Sequence, residues 1–231
     1  MNKKIKAWYF SAPDKKLGYG DGRDIIIGET HTISNRPMCC SCGLHGSIRL
    51  CDALYYAKSP YLYRVEIFGK INQKTDKLCG QSRKYLSGGI DITSVLMEFS
   101  RWCALQVVHL WDCPPLVLKY LKTGNKRTRA AAARAAANSA AAATADAAAR
   151  AAARAAGAAA ANLTADDYAA AAARTAAHAA AAADYADYAA DYAANLTADG
   201  FADEYAAALE KQNRKLTQMV MKYFKEQGNE T

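Results

Sequence analysis

The chain of 231 residues carries a formal net charge of +8, and this charge is concentrated in its first part. Residues 1–128 hold 20 Lys and Arg against 10 Asp and Glu, whereas residues 129–231 hold 10 against 12. No apolar run approaches the roughly 20 residues of a membrane-spanning helix, and the N-terminus lacks the apolar segment of a secretory signal. We therefore expect a cytoplasmic protein without a membrane partner, whose seven cysteines are free thiols.

The first 125 residues predict a basic α+β domain. The clearest strand is 61–69, where apolar side chains recur at every second position. Gly124 is expected to end the last helix of this domain, because glycine readily adopts the left-handed conformation of a helix C-terminus. The other expected elements are strands at 6–10 and 77–86, one or two strands over 24–33, and helices at 47–58, 91–110 and 116–122.

A cluster of thiols and imidazole, Cys39, Cys42 and His45, has a spacing that could serve zinc. A fourth ligand is missing at the usual distance, and Cys51 falls inside the next expected helix. The sequence therefore predicts no metal and no cofactor, with the thiols buried in a loop of small residues.

Several short segments together resemble an uncharacterised domain family of phage and bacterial proteins, which alanine-rich repeats often follow. The resemblance covers about residues 4–125 and implies a phage or mobile-element origin, but no settled activity. The segments that carry it are Ala7-Trp8-Tyr9-Phe10, Cys42-Gly43-Leu44-His45, Asp52-Ala53-Leu54, Leu62-Tyr63-Arg64-Val65-Glu66 and Asp76-Lys77.

A weaker likeness joins the segment around His45, the following helix and the strand at 62–66 to ADP-ribosyltransferase-like folds. In such folds a histidine positions a nicotinamide nucleotide. The resemblance implies that role for His45, with Arg64 or Arg83 meeting the phosphate. The later glutamate of these transferases has no counterpart in the chain.

Alanine dominates the second part of the chain, with 24 alanines among the 32 residues 130–161. The segment Asn162–Asp166 recurs as Asn195–Asp199, and both copies could end one helix and begin the next. We therefore expect residues 126–231 to form an alanine-rich all-α tail of helical hairpins or a coiled coil. Its expected helices are 126–161, 165–194 and 198–227, and one continuous helix is the rival interpretation.

Tyrosines recur at helical spacing beside aspartates at Tyr185, Tyr188 and Tyr192. Such a stripe suits the centre of an interface. Arginines of the preceding alanine-rich segment could meet it through ion pairs and cation–π contacts; they are Arg134, Arg150 and Arg154. We therefore expect a homo-oligomer, and solvent-facing decoration is the alternative.

The sequence-based hypothesis is a non-catalytic binding protein, phage-encoded, whose front domain holds a partner or ligand and whose helices oligomerise. Interference with a host factor or a defence system is the role that the family association implies. Besides itself, the expected partner is a host protein or an anionic nucleotide. Two alternatives stay open: an ADP-ribosyltransferase-like enzyme using His45, and a nucleic-acid-binding protein using the basic front.

Overall fold

A computed structural model describes residues 3–18, 20–39, 41–142, 147–160, 173, 175–183 and 198–229. The chain divides into two compact units. A sheet unit consists of Met1–Thr93 together with Leu216–Thr231, and a helical unit consists of Ser94–Lys215. Within the described residues, none of the helices is both long enough and apolar enough to cross a membrane.

The sheet unit is built on one five-stranded antiparallel sheet. The strands follow the order β1-β4-β5-β2, and β3 also pairs with β5. Helix α1, Leu50–Tyr55, lies between β3 and β4 in the sequence. The strands are β1 (Ile5–Phe10), β2 (Thr30–Thr32), β3 (Leu44–Gly46), β4 (Tyr61–Gln73) and β5 (Leu78–Asp91).

Most strand predictions are confirmed, but the one at 24–33 is too long. The β-branched run there predicts a strand, yet Ile26 and Ile27 are exposed, and the strand that pairs in register with β5 spans Thr30–Thr32. Gly28 has a φ of 90°, and its N–H donates to the Tyr85 carbonyl 2.8 Å away. The chain therefore turns before the strand begins.

The core of the sheet unit combines strand residues with the end of the last helix. Alternate side chains of β1 and β4, among them Ala7, Val65 and Ile67, form one buried cluster. On the C-terminal segment, Phe224 is buried and its ring meets the Trp8 ring edge-to-face, with centroids 6.2 Å apart. An aromatic contact of this geometry stabilises beyond the area that it buries.

The helical unit contains helices that begin and end at recognisable signals. Pro115 begins α3, and Gly124 ends it with a φ of 64°, its N–H donating to the Tyr120 carbonyl 2.7 Å away. This confirms the expected C-terminus. Helix α2 begins one residue before the helical unit starts at Ser94. Helix α7 begins in the helical unit and its last residues, from Leu216, belong to the sheet unit. The helices are α2 (Thr93–Gln106), a 3-10 turn (Val108–Leu110), α3 (Pro115–Thr123), α4 (Lys126–Ala142), α5 (Ala147–Ala160), α6 (175–183) and α7 (Ala198–Glu226).

Alanine faces pack closely against one another in the helical unit. Helix α4 packs on α5, and a Cβ added at Gly157 would lie 3.9 Å from the Ala136 Cβ. The Tyr120 hydroxyl donates to the Ala159 carbonyl over 2.9 Å. Where one helix is expected over 126–161, the structure has two shorter helices, α4 and α5, that pack their alanines against each other. Most of the helix expected at 165–194 lies outside the described residues, and α7 lies where a helix is expected at 198–227.

The expected fold class, an α+β domain followed by a separate all-α tail, is wrong. The described residues form a mixed α/β fold in which seven helices are interspersed with the five-stranded antiparallel sheet. The reason lies in side-chain size. Leu216, Val220 and Phe224 are large apolar residues, and they are buried in the unit that carries the sheet. Whether residues 1–125 and 126–231 behave as separate domains in solution stays a prediction.

Candidate functional site

Three potential metal ligands come together at one side of the sheet. Cys39, His45 and Cys79 each offer a ligand atom, and these atoms lie within 4.8 Å of one another. The two sulfurs are 3.2 Å apart. His45 and Cys79 stand directly opposite in the β3–β5 pairing, and Cys39 comes from the preceding loop. Strand pairing thus joins residues that are far apart in sequence.

The environment of this cluster disfavours charged side chains. Burial, together with the hydrogen bond with Cys39, raises the pKa of the Cys79 thiol to about 12. Burial also lowers the pKa of His45, and the positive charges of Arg83 and Lys77 act in the same direction. Without a cation, this arrangement therefore keeps both groups neutral near pH 7.

Arg83 is fully engaged in a buried network of hydrogen bonds. The residue is 2% exposed, and its guanidinium donates to the Tyr85 hydroxyl from Nε at 3.1 Å and from Nη2 at 2.8 Å. Its Nη1 donates to the His45 carbonyl over 2.6 Å, and the guanidinium lies over the Tyr9 ring, 3.7 Å from the centroid. His31 Nδ1 is 3.0 Å from the same Tyr85 oxygen. Arg83 therefore links β3, β5 and the Tyr9 ring of β1 inside the sheet unit and does not face solvent.

The structure brings only one of the two candidate phosphate-binding arginines to His45. Arg64 lies over the Trp8 ring, 4.4 Å from its centroid, and burial lowers its pKa. Its neighbours in β4, Tyr63 and Val65, belong to the buried cluster, so Arg64 points from the opposite face of the strand. Arg83 stacks on the Tyr9 ring, and Tyr9 contacts Tyr63, so Arg83 lies on the face of the sheet that carries the buried cluster. Arg64 and Arg83 therefore do not converge on one ligand.

A second feature is a groove of about 150 Å³ between the start of α1 and the β4–β5 turn. Its rim includes Ile48, and Tyr55 and Tyr56 end α1 nearby with their rings edge-to-face, centroids 5.1 Å apart. All three side chains are exposed, at 49%, 54% and 41% respectively. Lys77 Nζ lies over the Tyr56 ring, 4.4 Å from the centroid, and the Tyr56 hydroxyl donates to the Asp76 carboxylate. The ring of Tyr56 is thus held in place.

The groove has mixed charge. Its lining includes Arg49, Lys74 and Lys77, but also Asp52 and Asp76. The Tyr56 hydrogen bond and nearby lysines lower the pKa of Asp76, so this carboxylate stays ionised near pH 7.

The candidate interface residues of the helical unit are placed only in part. Arg134 on α4 and Arg154 on α5 are exposed. The side chain of Arg150 lies outside the description, and so do Tyr185, Tyr188 and Tyr192. The predicted pairing of tyrosines and arginines therefore stays a prediction.

Comparison with known proteins gives no support for either resemblance. No family model matches the chain, and neither a curated protein nor a solved structure matches it significantly. The likenesses to a phage domain family and to ADP-ribosyltransferases therefore stay expectations.

Sequence reasoning missed Cys79, Tyr85 and the tyrosine pair on α1. Cys79 follows His45 by 34 positions, so only the β3–β5 register joins them. The sequence does contain a signal for Tyr85. It follows Arg83 by two residues on one strand, so the two side chains lie on the same face and can contact each other. The sequence places Tyr55 and Tyr56 inside the helix expected at 47–58, and their exposure depends on where α1 ends.

Proposed function

We propose that this chain is a non-catalytic interaction protein that binds a protein partner through its sheet unit. The binding surface is the tyrosine–lysine surface, which we define as Ile48, Tyr55, Tyr56, Lys74 and Lys77. The observation that carries the proposal is the exposure of two adjacent tyrosines and an isoleucine beside a shallow groove.

Tyrosine is well suited to the centre of an interface. Its ring contributes a large apolar area, it loses little conformational freedom, and it is enriched among residues that dominate binding energy. The contacts of Tyr56 with Lys77 and Asp76 hold its ring before a partner arrives, which reduces the entropy that binding costs.

Two observations favour a protein over other ligands. The groove of about 150 Å³ is smaller than the roughly 300–1,000 Å³ of sites that enclose drug-sized molecules. Asp52 and Asp76 line it, and carboxylates would repel the phosphates of a nucleic acid. A protein partner can match both signs of charge.

The transferase alternative has weaker support. Arg83 could meet a phosphate only by giving up its hydrogen bonds to Tyr85 and to the His45 carbonyl. Arg64 lies on the other face of its strand. The expected phage origin and interference with host defence rest on the resemblance alone and stay predictions, as does self-association of the helical unit.

The test compares three forms of the full chain as affinity baits in lysate of the cells that make it. The forms are wild type, the double variant Tyr55→Ala/Tyr56→Ala, and Tyr223→Ala as a control for loss of a tyrosine elsewhere in the sheet unit. We expect a protein that wild type and control capture and that the double variant captures at least about tenfold less, as loss of interface tyrosines implies. Titration of the purified partner should reproduce this ratio.

Two results would overturn the proposal. One is capture that nuclease treatment abolishes and that falls steeply with salt, which would make the chain a nucleic-acid binder. The other is turnover of a nicotinamide nucleotide that disappears in His45→Ala, which would make it an enzyme.

A further inference from the structure

We propose that the sheet unit binds one Zn²⁺ ion through Cys39, His45 and Cys79, with Cys42 as the fourth ligand. This inference does not rest on the proposed function. The expectation of no metal follows from Cys39, Cys42 and His45, because in the sequence the fourth candidate, Cys51, falls inside an expected helix. The β3–β5 register supplies the missing ligand as Cys79.

The geometry is close to what zinc requires. In a tetrahedral zinc site a thiolate sulfur lies about 2.3 Å from the ion and an imidazole nitrogen about 2.0 Å. Neighbouring ligand atoms are therefore roughly 3.5–3.8 Å apart. The ligand atoms of Cys39, His45 and Cys79 lie within 4.8 Å of one another, and the two sulfurs are 3.2 Å apart. Widening the sulfur pair to about 3.8 Å and bringing the other ligand atoms to about 3.6 Å of one another requires shifts of up to about 1 Å.

The backbone around the cluster is shaped to bring the ligands together. Met38 and Cys42 exchange two backbone hydrogen bonds, of 2.7 Å and 2.9 Å, which close a tight turn that carries Cys39. Gly43 follows with a φ of 138°, and a Cβ at this position would lie 2.9 Å from the Cys79 Cβ and 3.0 Å from its Sγ. Glycine therefore lets the chain pass directly beside the Cys79 thiol.

Cys42 borders this cluster, although its sulfur is not among the ligand atoms that lie within 4.8 Å of one another. Its carbonyl oxygen lies 3.9 Å from Cys79 Sγ, so its backbone borders the cluster. Its thiol now donates to the Arg36 carbonyl over 3.1 Å. The proposed fourth bond therefore requires a rotation about χ1 that turns this sulfur toward the ion, at the cost of one weak hydrogen bond.

The ligand types select the metal. Thiolates together with imidazole suit zinc, whereas Ca²⁺ and Mg²⁺ prefer oxygen ligands. Three cysteines and one histidine make a closed set of the kind found in structural sites. The ion would tie the loop before β3 to β3 and β5 and would stabilise the folded sheet unit by mass action.

The test measures zinc in the full chain, purified with a reductant and without chelator, then supplied with Zn²⁺ and desalted. We expect one zinc per chain for wild type and for Cys113→Ser, which makes the same thiol-to-hydroxyl change in the helical unit. Cys39→Ser and Cys79→Ser should weaken zinc binding by at least about 100-fold, because even supporting residues around a metal site cost 10–100-fold. Cobalt substitution should give a thiolate-to-metal charge-transfer band in wild type.

His45→Cys keeps the test decisive if the serine variants fail to fold, since it retains four ligands. It should bind one zinc and shift the cobalt spectrum. Unchanged affinity in Cys42→Ser would overturn the role of Cys42. Wild-type protein that holds well under one zinc per chain, or that returns Cys39 and Cys79 as a disulfide from reducing conditions, would overturn the site.

Discussion

Replacing Tyr85 with phenylalanine should show how strongly the sheet unit depends on the buried Arg83. The Tyr85 hydroxyl accepts two N–H groups of Arg83, at 2.8 Å and 3.1 Å, and both residues are almost fully buried. Each hydrogen bond to a charged group contributes about 1.5–3 kcal/mol. Arg83 keeps its bond to the His45 carbonyl and its contact with the Tyr9 ring. We therefore expect Tyr85→Phe to lower the free energy of unfolding by about 3 kcal/mol rather than by the full sum.

Urea unfolding, followed by circular dichroism and fluorescence, measures this loss. Tyr9→Phe is the matched control, because it removes a hydroxyl but leaves the ring under the guanidinium, and it should cost under about 1 kcal/mol. Arg83→Met combined with Tyr85→Phe should cost less than the two single changes together, since neither partner is then left alone. A loss below about 0.5 kcal/mol in Tyr85→Phe, or strict additivity in the double variant, would refute this account of Arg83.

Three further predictions concern pH, backbone and assembly. Burial lowers the pKa of His31 below 6.5, and the positive charges of Arg23 and Arg83 act in the same direction. Below about pH 6.5 the unfolded chain therefore binds a proton that the folded chain does not, so the stability measured in urea titrations should fall as the pH drops. The fall should be less steep in His31→Gln. Gly88 has a φ of 112°, and an added Cβ would lie 2.3 Å from the Leu62 carbonyl oxygen. Gly88→Ala should therefore lower the melting temperature and reduce the free energy of unfolding by at least about 2 kcal/mol. Gly18 has open space around it, so the control Gly18→Ala should change stability little. Light scattering at micromolar concentration should show more than one chain, and the triple alanine variant of Tyr185, Tyr188 and Tyr192 should associate less while keeping its helicity; a monomeric wild type would exclude the oligomer.

Local patterns in the sequence predicted single elements well because their causes are local. The alternation at 61–69 follows from burial of one strand face, and the end of α3 at Gly124 follows from a left-handed glycine. The segment 24–33 differs from expectation because two of its isoleucines, Ile26 and Ile27, remain exposed despite their high strand propensity. Propensity alone does not show where such a segment turns, as this one does at Gly28 before Thr30–Thr32 pairs with β5.

The candidate site was predictable only where it depended on neighbours in sequence. Cys39, Cys42 and His45 could be identified from their spacing. Cys79 joins Cys39 and His45 through a strand register that a single sequence does not reveal. The resemblance suggests a phosphate-binding role for Arg83, but Tyr85, two residues along the same strand, already binds its guanidinium.

The return of the C-terminal segment to the sheet unit decides whether residues 1–125 are stable alone. Phe224 meets the Trp8 ring, and Asn229 Oδ1 accepts the Gly88 N–H at 3.4 Å. A fragment of residues 1–125 lacks both contacts, so we expect trypsin to digest it faster than the same residues in the full chain.

The variant Phe224→Ala tests the cause in the full chain. Removing a buried aromatic side chain typically costs about 3–5 kcal/mol, and it would leave one edge of the Trp8 ring uncovered. Met221→Ala, at an exposed position of the same helix, should change little. If fragment 1–125 resists trypsin as well as the full chain does, and Phe224→Ala unfolds at the wild-type urea concentration, then the C-terminal segment does not stabilise the sheet. The boundary near residue 125 would then mark an independent domain, as the sequence alone predicts.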